Sequence, residues 1–192
     1  MPVANSDAMQ FLETRRSRPA KTLGDPVPDR DTLLKLLEIA ARTPDHGKLE
    51  PWRFIVLPPP ALHRLSLSLA ARGAALGIAP DKIAKAETEY SAARLAVVVV
   101  ASPKPSDKIP KIEQTLSAGA VCMQFLNAAL AAGWGCNWLS GWASHDREWR
   151  EHHLGLAPQE WIAGIMHIGT ERAAPPERPR PNLDQIVEWI DA

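Results

Sequence analysis

The sequence carries no excess charge of either sign: 22 Lys and Arg balance 22 Asp and Glu over 192 residues. That balance argues against a broad electrostatic grip on nucleic acid or an anionic membrane, though not against a local basic pocket. Cysteine is scarce. Cys122 and Cys136 form neither a CxxC motif nor a disulfide framework. No apolar run reaches the roughly 18 residues of a membrane-spanning helix, and Met1 to Asp7 lacks the basic-then-apolar pattern of a signal peptide. A cytoplasmic protein is the expectation. No GxSxG, Walker-type loop, HExxH or GxGxxG after a strand is present, which leaves hydrolase, P-loop, zinc-protease and Rossmann readings without a motif. His145, His152 and His153 lack metal-ligand spacing, so no metal is expected. Tyrosine occurs once, against seven tryptophans.

Proline is abundant and clustered, with 18 residues, and five of the seven Trp fall between Trp134 and Trp161. The length argues for a single domain over 1–192. Hydrophobic periodicity predicts a helix over 7–16 with Asp7 near its start, and a second from Asp29 or Asp31 with Leu33, Leu36, Leu37 and Ala40 inward. A proline-containing loop is expected over 20–28. Trp52–Leu57 and Leu95–Ala101 read as strands, the second covered on both faces. Helices are expected over 61–76 and from Pro80 to about Ala93. The longest spans 112–132, apolar on nearly every side and so buried or at a subunit interface. Gly133 closes it. Strands over Trp134–Ser140 and Trp161–Gly169 flank a helix capped by Ser144. The tail over 173–192 ends in an amphipathic helix after Asn182. The fold class is α+β, a mixed sheet sandwiched by helices around the long apolar helix.

Three segments hold candidate chemistry. Arg15-Arg16-Ser17 offers two guanidinium groups and a hydroxyl for an anion, or simply ends a helix with basic residues. Arg42-Thr43-Pro44-Asp45-His46-Gly47-Lys48-Leu49-Glu50-Pro51-Trp52 is a proline-pinned polar loop, either a ligand contact or an exposed connection. Gly133 to Trp142 combines glycines with aromatics, suiting either a flat ligand or a Trp-rich core strand.

In this order and spacing, RRS, RTPDHGKLEPWRF, VVVVAS, the apolar helix into GWGCNWLSG, HIGT and a Pro/Arg-rich tail resemble the nitroreductase family of flavoproteins, its small YdjA-like branch in particular. The resemblance implies a homodimer with FMN at the subunit interface, and an enzyme that passes hydride from NADH or NADPH through FMN to nitroaromatics, quinones or similar small acceptors in a ping-pong cycle. It places Arg15, Arg16 and Ser17 at the phosphate and pyrimidine side of FMN. Arg42 and His46 form a second set, Trp138, Leu139 and Ser140 run beside the isoalloxazine, and Arg180 meets the phosphate. Family members can also place a nicotinamide contact at Ala128 to Gly133. The tail over 173–192 is expected to pack on the partner. No side chain need act as nucleophile, and no catalytic residue is assigned. Two departures stand out: Leu139 replaces a usual Arg, and Glu50 the Gln usual before Pro-Trp. They leave, as the alternative, a flavin-binding or regulatory protein that no longer turns over.

Overall fold

The computed structural model describes residues 1 and 3–190. Its centre is β3 (Ala96–Ala101), in which all six residues are buried. A strand of valines presents alternate side chains to opposite faces. Val97 and Val99 pack with Leu33, Leu36 and Phe125 on one side; Val98 and Val100 pack with Leu62, Leu65, Leu69 and Trp149 on the other. The first layer is α2 (Arg30–Ala40) and α5 (Lys111–Ala131); the second is chiefly α3 (Pro59–Ala75), α4 (Pro80–Ala92) and α7 (Arg147–Leu154). The helix α1 (Ser6–Thr14) buries none of its residues.

Among the described residues, five strands form the sheet. The pair β2 (Trp52–Leu57) and β3 runs in unbroken register from Trp52 opposite Ala101 to Leu57 opposite Ala96. The long β5 (Trp161–Glu171) pairs with β3, with β4 (Gly135–Leu139) and, at its end, with β1 (Leu23–Gly24). All four pairings are antiparallel, a correction to the expected mixture. Connectivity supplies the reason. Two helices lie between β2 and β3, and two, α6 (Trp142–His145) and α7, between β4 and β5. A down-and-up helix pair returns the chain to its next strand in the opposite direction. The single helix α5 joins β3 to β4, which therefore run the same way but do not touch: β5 lies between them.

Other local expectations also change. Loop 20–28 contains β1, whose two residues are too few to leave a periodic signal. Asn5, not Asp7, caps α1, its side chain accepting from the Ala8 amide at 3.0 Å. Ser144 lies within α6, and Asp146 caps α7 by accepting from the Trp149 amide at 2.8 Å. Asp146 is itself held by a bidentate Arg72, at 2.7 Å on each oxygen, so it serves both helices' packing and the cap. The expected C-terminal helix reduces to a 3-10 turn, Leu183–Gln185, with Ile186, Trp189 and Ile190 exposed. Among the described residues nothing covers their apolar side, and a short helix with no packing surface is marginal in water. Residues 191–192 of the expected tail lie outside the described residues.

One ion pair, buried on its Glu160 side, fixes the edge of the sheet. Arg53 Nε and Nη2 donate to Glu160 at 2.8 and 2.7 Å, and the Ala157 amide donates to the same carboxylate at 2.9 Å. The Arg53 guanidinium, aided by that amide, holds the Glu160 carboxyl down at about 2, against an ordinary 4.5. Stability from this site is therefore complete above about pH 4.5 and is lost as pH falls towards 2. Glu160→Gln is expected to cost about 1–2 kcal/mol at pH 7, since it weakens charge-assisted hydrogen bonds to a guanidinium that solvent partly screens. Urea unfolding at pH 7 and near pH 2.5 checks this: the deficit should shrink at the lower pH, and an unchanged deficit would contradict it.

Candidate flavin site

The Arg15-Arg16-Ser17 turn follows α1 and is tied to the start of β4. The Arg18 amide donates to the Cys136 carbonyl at 2.9 Å, and Asn137 Nδ2 donates to the Arg18 carbonyl at 2.7 Å. Two segments 119 residues apart in the chain are thus fastened side by side, and Trp138 and Leu139 continue along the same strand, with Ser140 just past its end. The tail joins them. Arg16 Nη1 donates to the Pro176 carbonyl at 2.7 Å, and Arg16 and Arg180 share Glu177, at 3.4 and 2.9 Å.

The electrostatics of this cluster are unbalanced. Arg18 pairs with Glu171 at 2.9 Å, so two carboxylates serve three guanidinium groups. Among the described residues Arg15 has no acidic partner, and its Nε is buried without a hydrogen bond. Burial, and then the charges of Arg180, Arg16 and Arg18, pull the Arg15 guanidinium below its ordinary value. A buried donor left unpaired costs about 1–3 kcal/mol, more among like charges. An anion with several acceptor oxygens removes both penalties together. Arg18 is the residue sequence reasoning missed; the run RRSR contains it, but only the fold turns it into the same cluster.

Beyond the cluster, Trp138 is 39% exposed, and its indole Nε1 donates to the Ala163 carbonyl at 3.2 Å. The ring lies on Gly164, where an added Cβ would come within 2.3 Å of Nε1. Gly164 therefore makes room for a flat aromatic surface at the end of β4. Leu139 is half-buried and Ser140 is exposed.

Arg42 and His46 stand elsewhere. Arg42 is exposed just past α2, and His46 opens the 3-10 turn His46–Lys48. His46 Nδ1 lies 2.6 Å from Glu113 in the first turn of α5. The Arg15 cluster is instead fastened to Cys136, just past the last turn of α5. The second set and the first thus occupy opposite ends of a helix about 30 Å long. The structure brings Arg15, Arg16, Ser17, Arg180 and the Trp138–Ser140 strand together, and it does not bring Arg42 and His46 to them within one chain.

The loop bearing His46 is strained. Gly47, Lys48 and Glu50 have φ of 73°, 55° and 47°. The left-handed region is cheap for glycine but costs other residues about 1–2 kcal/mol each. The conformation is held by Asp45, which accepts from the Glu50 amide at 2.6 Å. Ser117 holds it as well, donating to the Pro44 carbonyl at 2.8 Å and accepting from the Trp52 indole at 3.2 Å. Strain maintained by several contacts is a mark of functional loops. Glu50 is exposed, and its side chain makes no hydrogen bond among the described residues.

Ala128 is buried in the core, and its carbonyl accepts from the Ala132 amide at 3.0 Å. Gly133, with φ of 84°, ends α5 and gives its amide to the Leu130 carbonyl at 3.0 Å. Neither offers a free donor to a dinucleotide phosphate.

Comparison with known proteins gives the chain's family and fold. The family model described as "Nitroreductase family" matches residues 12–170. The chain is 35% identical over 164 residues to "Putative NAD(P)H nitroreductase YdjA" of Escherichia coli K12, covering 85% of this chain and 88% of that one. It is 36% identical over 165 residues to the "Putative NAD(P)H nitroreductase" of Haemophilus influenzae, at the same coverage. Among solved structures, a nitroreductase-like family protein from Bacillus cereus superposes over all of both chains with a TM-score of 0.81 at 25% identity. A Desulfovibrio desulfuricans protein solved in complex with FMN gives 0.75 at 17% identity, over 98% of this chain and 100% of that one.

Proposed function

This chain belongs to the nitroreductase family, and from that membership we propose that it is an FMN-dependent oxidoreductase that uses NADH or NADPH to reduce nitroaromatics, quinones or similar small acceptors. The observation that carries the reading is the unpaired, buried Nε of Arg15 within a cluster of four arginines. The residues present fit FMN. Arg15, Arg16, Ser17 and Arg180 would hold its phosphate, whose oxygens match guanidinium geometry. Trp138, Leu139 and Ser140 would line the ring, offering an apolar wall and strand-end backbone. Bound there, FMN supplies the hydride chemistry, and the protein supplies binding, orientation and electrostatics.

The active unit is a homodimer. Arg42 and His46 lie at the far end of α5 from the Arg15 cluster, so one site needs both ends of two helices. The exposed face of α5 carries Ile112, Leu116 and Ala120 at a spacing of four. Met9 and Leu12 of α1 and the tail residues Ile186, Trp189 and Ile190 are exposed as well. A second copy lying antiparallel along α5 covers this surface and brings each His46 loop to the other copy's arginine cluster. The strained 45–50 loop would then present its backbone amides, with Arg42, to the flavin. The whole chain acts as one domain, its tail on the partner. The two cysteines are buried and unpaired, which suits a reducing cytoplasm.

Steady-state kinetics test the reading. With NADH or NADPH and a quinone, double-reciprocal plots should be parallel, because one substrate leaves before the other enters. Turnover with converging lines would contradict the ping-pong order. FMN binding with no turnover on either nucleotide would leave a flavin-binding protein, as the Leu139 and Glu50 departures allow.

A further inference from the structure

Behind the end of β4 lies a small chamber that borders the site described above through Leu139 and Ser140. Tyr90 from α4, Trp142 from α6 and His167 from β5 line it, with Leu139, Ser140 and Glu89 on its remaining walls. The Tyr90 hydroxyl and the Trp142 indole nitrogen are buried with no hydrogen-bond partner. Ser144 is in electrostatic reach of that hydroxyl but outside hydrogen-bond geometry. His167 is 4% exposed, and no protein group among the described residues bonds to its ring. An unpaired buried polar group is costly, and here α4 and α6 each bring one to the wall of the same cavity, beside the His167 ring.

The size of the cavity selects its occupant. Its volume is about 20 Å3, and one water needs roughly 10–15 Å3 by this measure. The chemistry agrees. The Trp142 N–H can only donate, the Tyr90 hydroxyl can do either, and a neutral imidazole has one donor and one acceptor. A water offers two of each. Burial pushes the His167 imidazole down to about 4, so it stays neutral at physiological pH and keeps its acceptor.

The chamber also lies between solvent and the redox site. Glu89 lines both the chamber and an open groove of about 490 Å3 between the Ala20–Leu23 segment and α4. On the other side stand Leu139 and Ser140, the strand end expected beside the flavin. We propose that Tyr90, Trp142 and His167 hold one ordered water, and that Glu89, this water and the Ser140 hydroxyl carry a proton from solvent to the acceptor. The proposal rests on the flavin reading. Two-electron reduction of a quinone takes one hydride, which the flavin supplies, and one proton. The Ser140 O–H bond breaks as the acceptor oxygen gains its hydrogen. Ser140 regains a proton from the water, and the Glu89 carboxylate takes one up from solvent and hands it on to the water, so that every relay group ends as it began. Glu89, Tyr90, Trp142 and His167 are positioning and relay groups that do not touch the cofactor.

Two variants of the FMN-loaded protein test this, Tyr90→Phe and Glu89→Gln. If the hydroxyl holds a water, Tyr90→Phe lowers the urea midpoint. If the chamber is dry, removing an orphaned hydroxyl raises the midpoint, and that overturns the proposal. Quinone reduction should fall about tenfold in both variants, at the low end of general acid–base effects seen on mutation. Ferricyanide takes electrons without protons, so its reduction, and flavin bleaching by NADH, should be unchanged. Equal losses with quinone and ferricyanide, or no loss with quinone, would overturn the relay. Should Tyr90→Phe fail to fold, Glu89→Gln, at the chamber mouth, still decides it. Failure of the unmodified protein to bleach would instead count against the flavin reading itself.

Discussion

Arg15→Ala is expected to raise the dissociation constant for FMN by roughly ten- to a hundredfold, the effect of losing a charge-assisted hydrogen bond of about 1.5–3 kcal/mol. The same substitution at Arg147 should leave it unchanged, although both remove one positive charge. Arg147 is 63% exposed and pairs with Glu151 on its own helix, where a charge is screened and worth little. Without flavin the sign should reverse for Arg15. Its guanidinium is desolvated beside Arg180, Arg16 and Arg18, so its removal should leave the flavin-free protein as stable or more so. Ser17→Ala should weaken FMN less than Arg15→Ala, because it removes a neutral group. Flavin fluorescence titration and urea unfolding of each variant give both numbers. Equal FMN affinity for Arg15→Ala and the unmodified protein would mean that the turn merely ends α1.

Leu116→Glu should separate the dimer and, with it, most of the flavin affinity. Leu116 is 66% exposed at the middle of the apolar face of α5. A carboxylate buried there in the dimer loses its hydration at a cost of several kcal/mol per ion, and a two-fold interface repeats the loss. At 1.4 kcal/mol per tenfold, dimer dissociation should rise by at least about a hundredfold. The FMN site then loses Arg42, His46 and the strained loop. Leu67→Glu is the control: Leu67 is 68% exposed but lies on α3, in the layer across the sheet. Light scattering with FMN titration reads both. A dimer that survives Leu116→Glu with its flavin would place the interface elsewhere.

These expectations show which parts of the molecule local sequence can express. β2 matches its expected span to the residue, because an aromatic and aliphatic run is closed by three prolines, Pro58 to Pro60. The long helix and β3 are equally plain, since one is apolar on nearly every side from Ala118 onward and the other is covered on both faces. The tail failed for the opposite reason. Leu183, Ile186, Val187 and Ile190 have helical spacing, but one chain gives them nothing to pack on. Ser144 and Asp146 are both good caps, and only the approach of Arg72 from α3 selects Asp146. At the site, RRS and the GWGCNWLSG strand were legible as motifs, whereas Arg18 and Glu177 joined the cluster only through folding. Tyr90, Trp142 and His167 are too far apart in the chain to suggest a shared chamber. Arg42 and His46 looked like neighbours of Arg15 in function, and the length of α5 explains how they can be distant within one chain.

The most direct test of flavin-dependent reduction is the visible absorption spectrum of the purified protein, taken after FMN reconstitution and then during anaerobic titration with NADH and, separately, NADPH. The account predicts the two oxidised-flavin bands, retained through gel filtration at one FMN per chain, and their bleaching by at least one of the two nucleotides. A protein that passes through reconstitution without the flavin bands, or whose bands neither nucleotide bleaches, would contradict it.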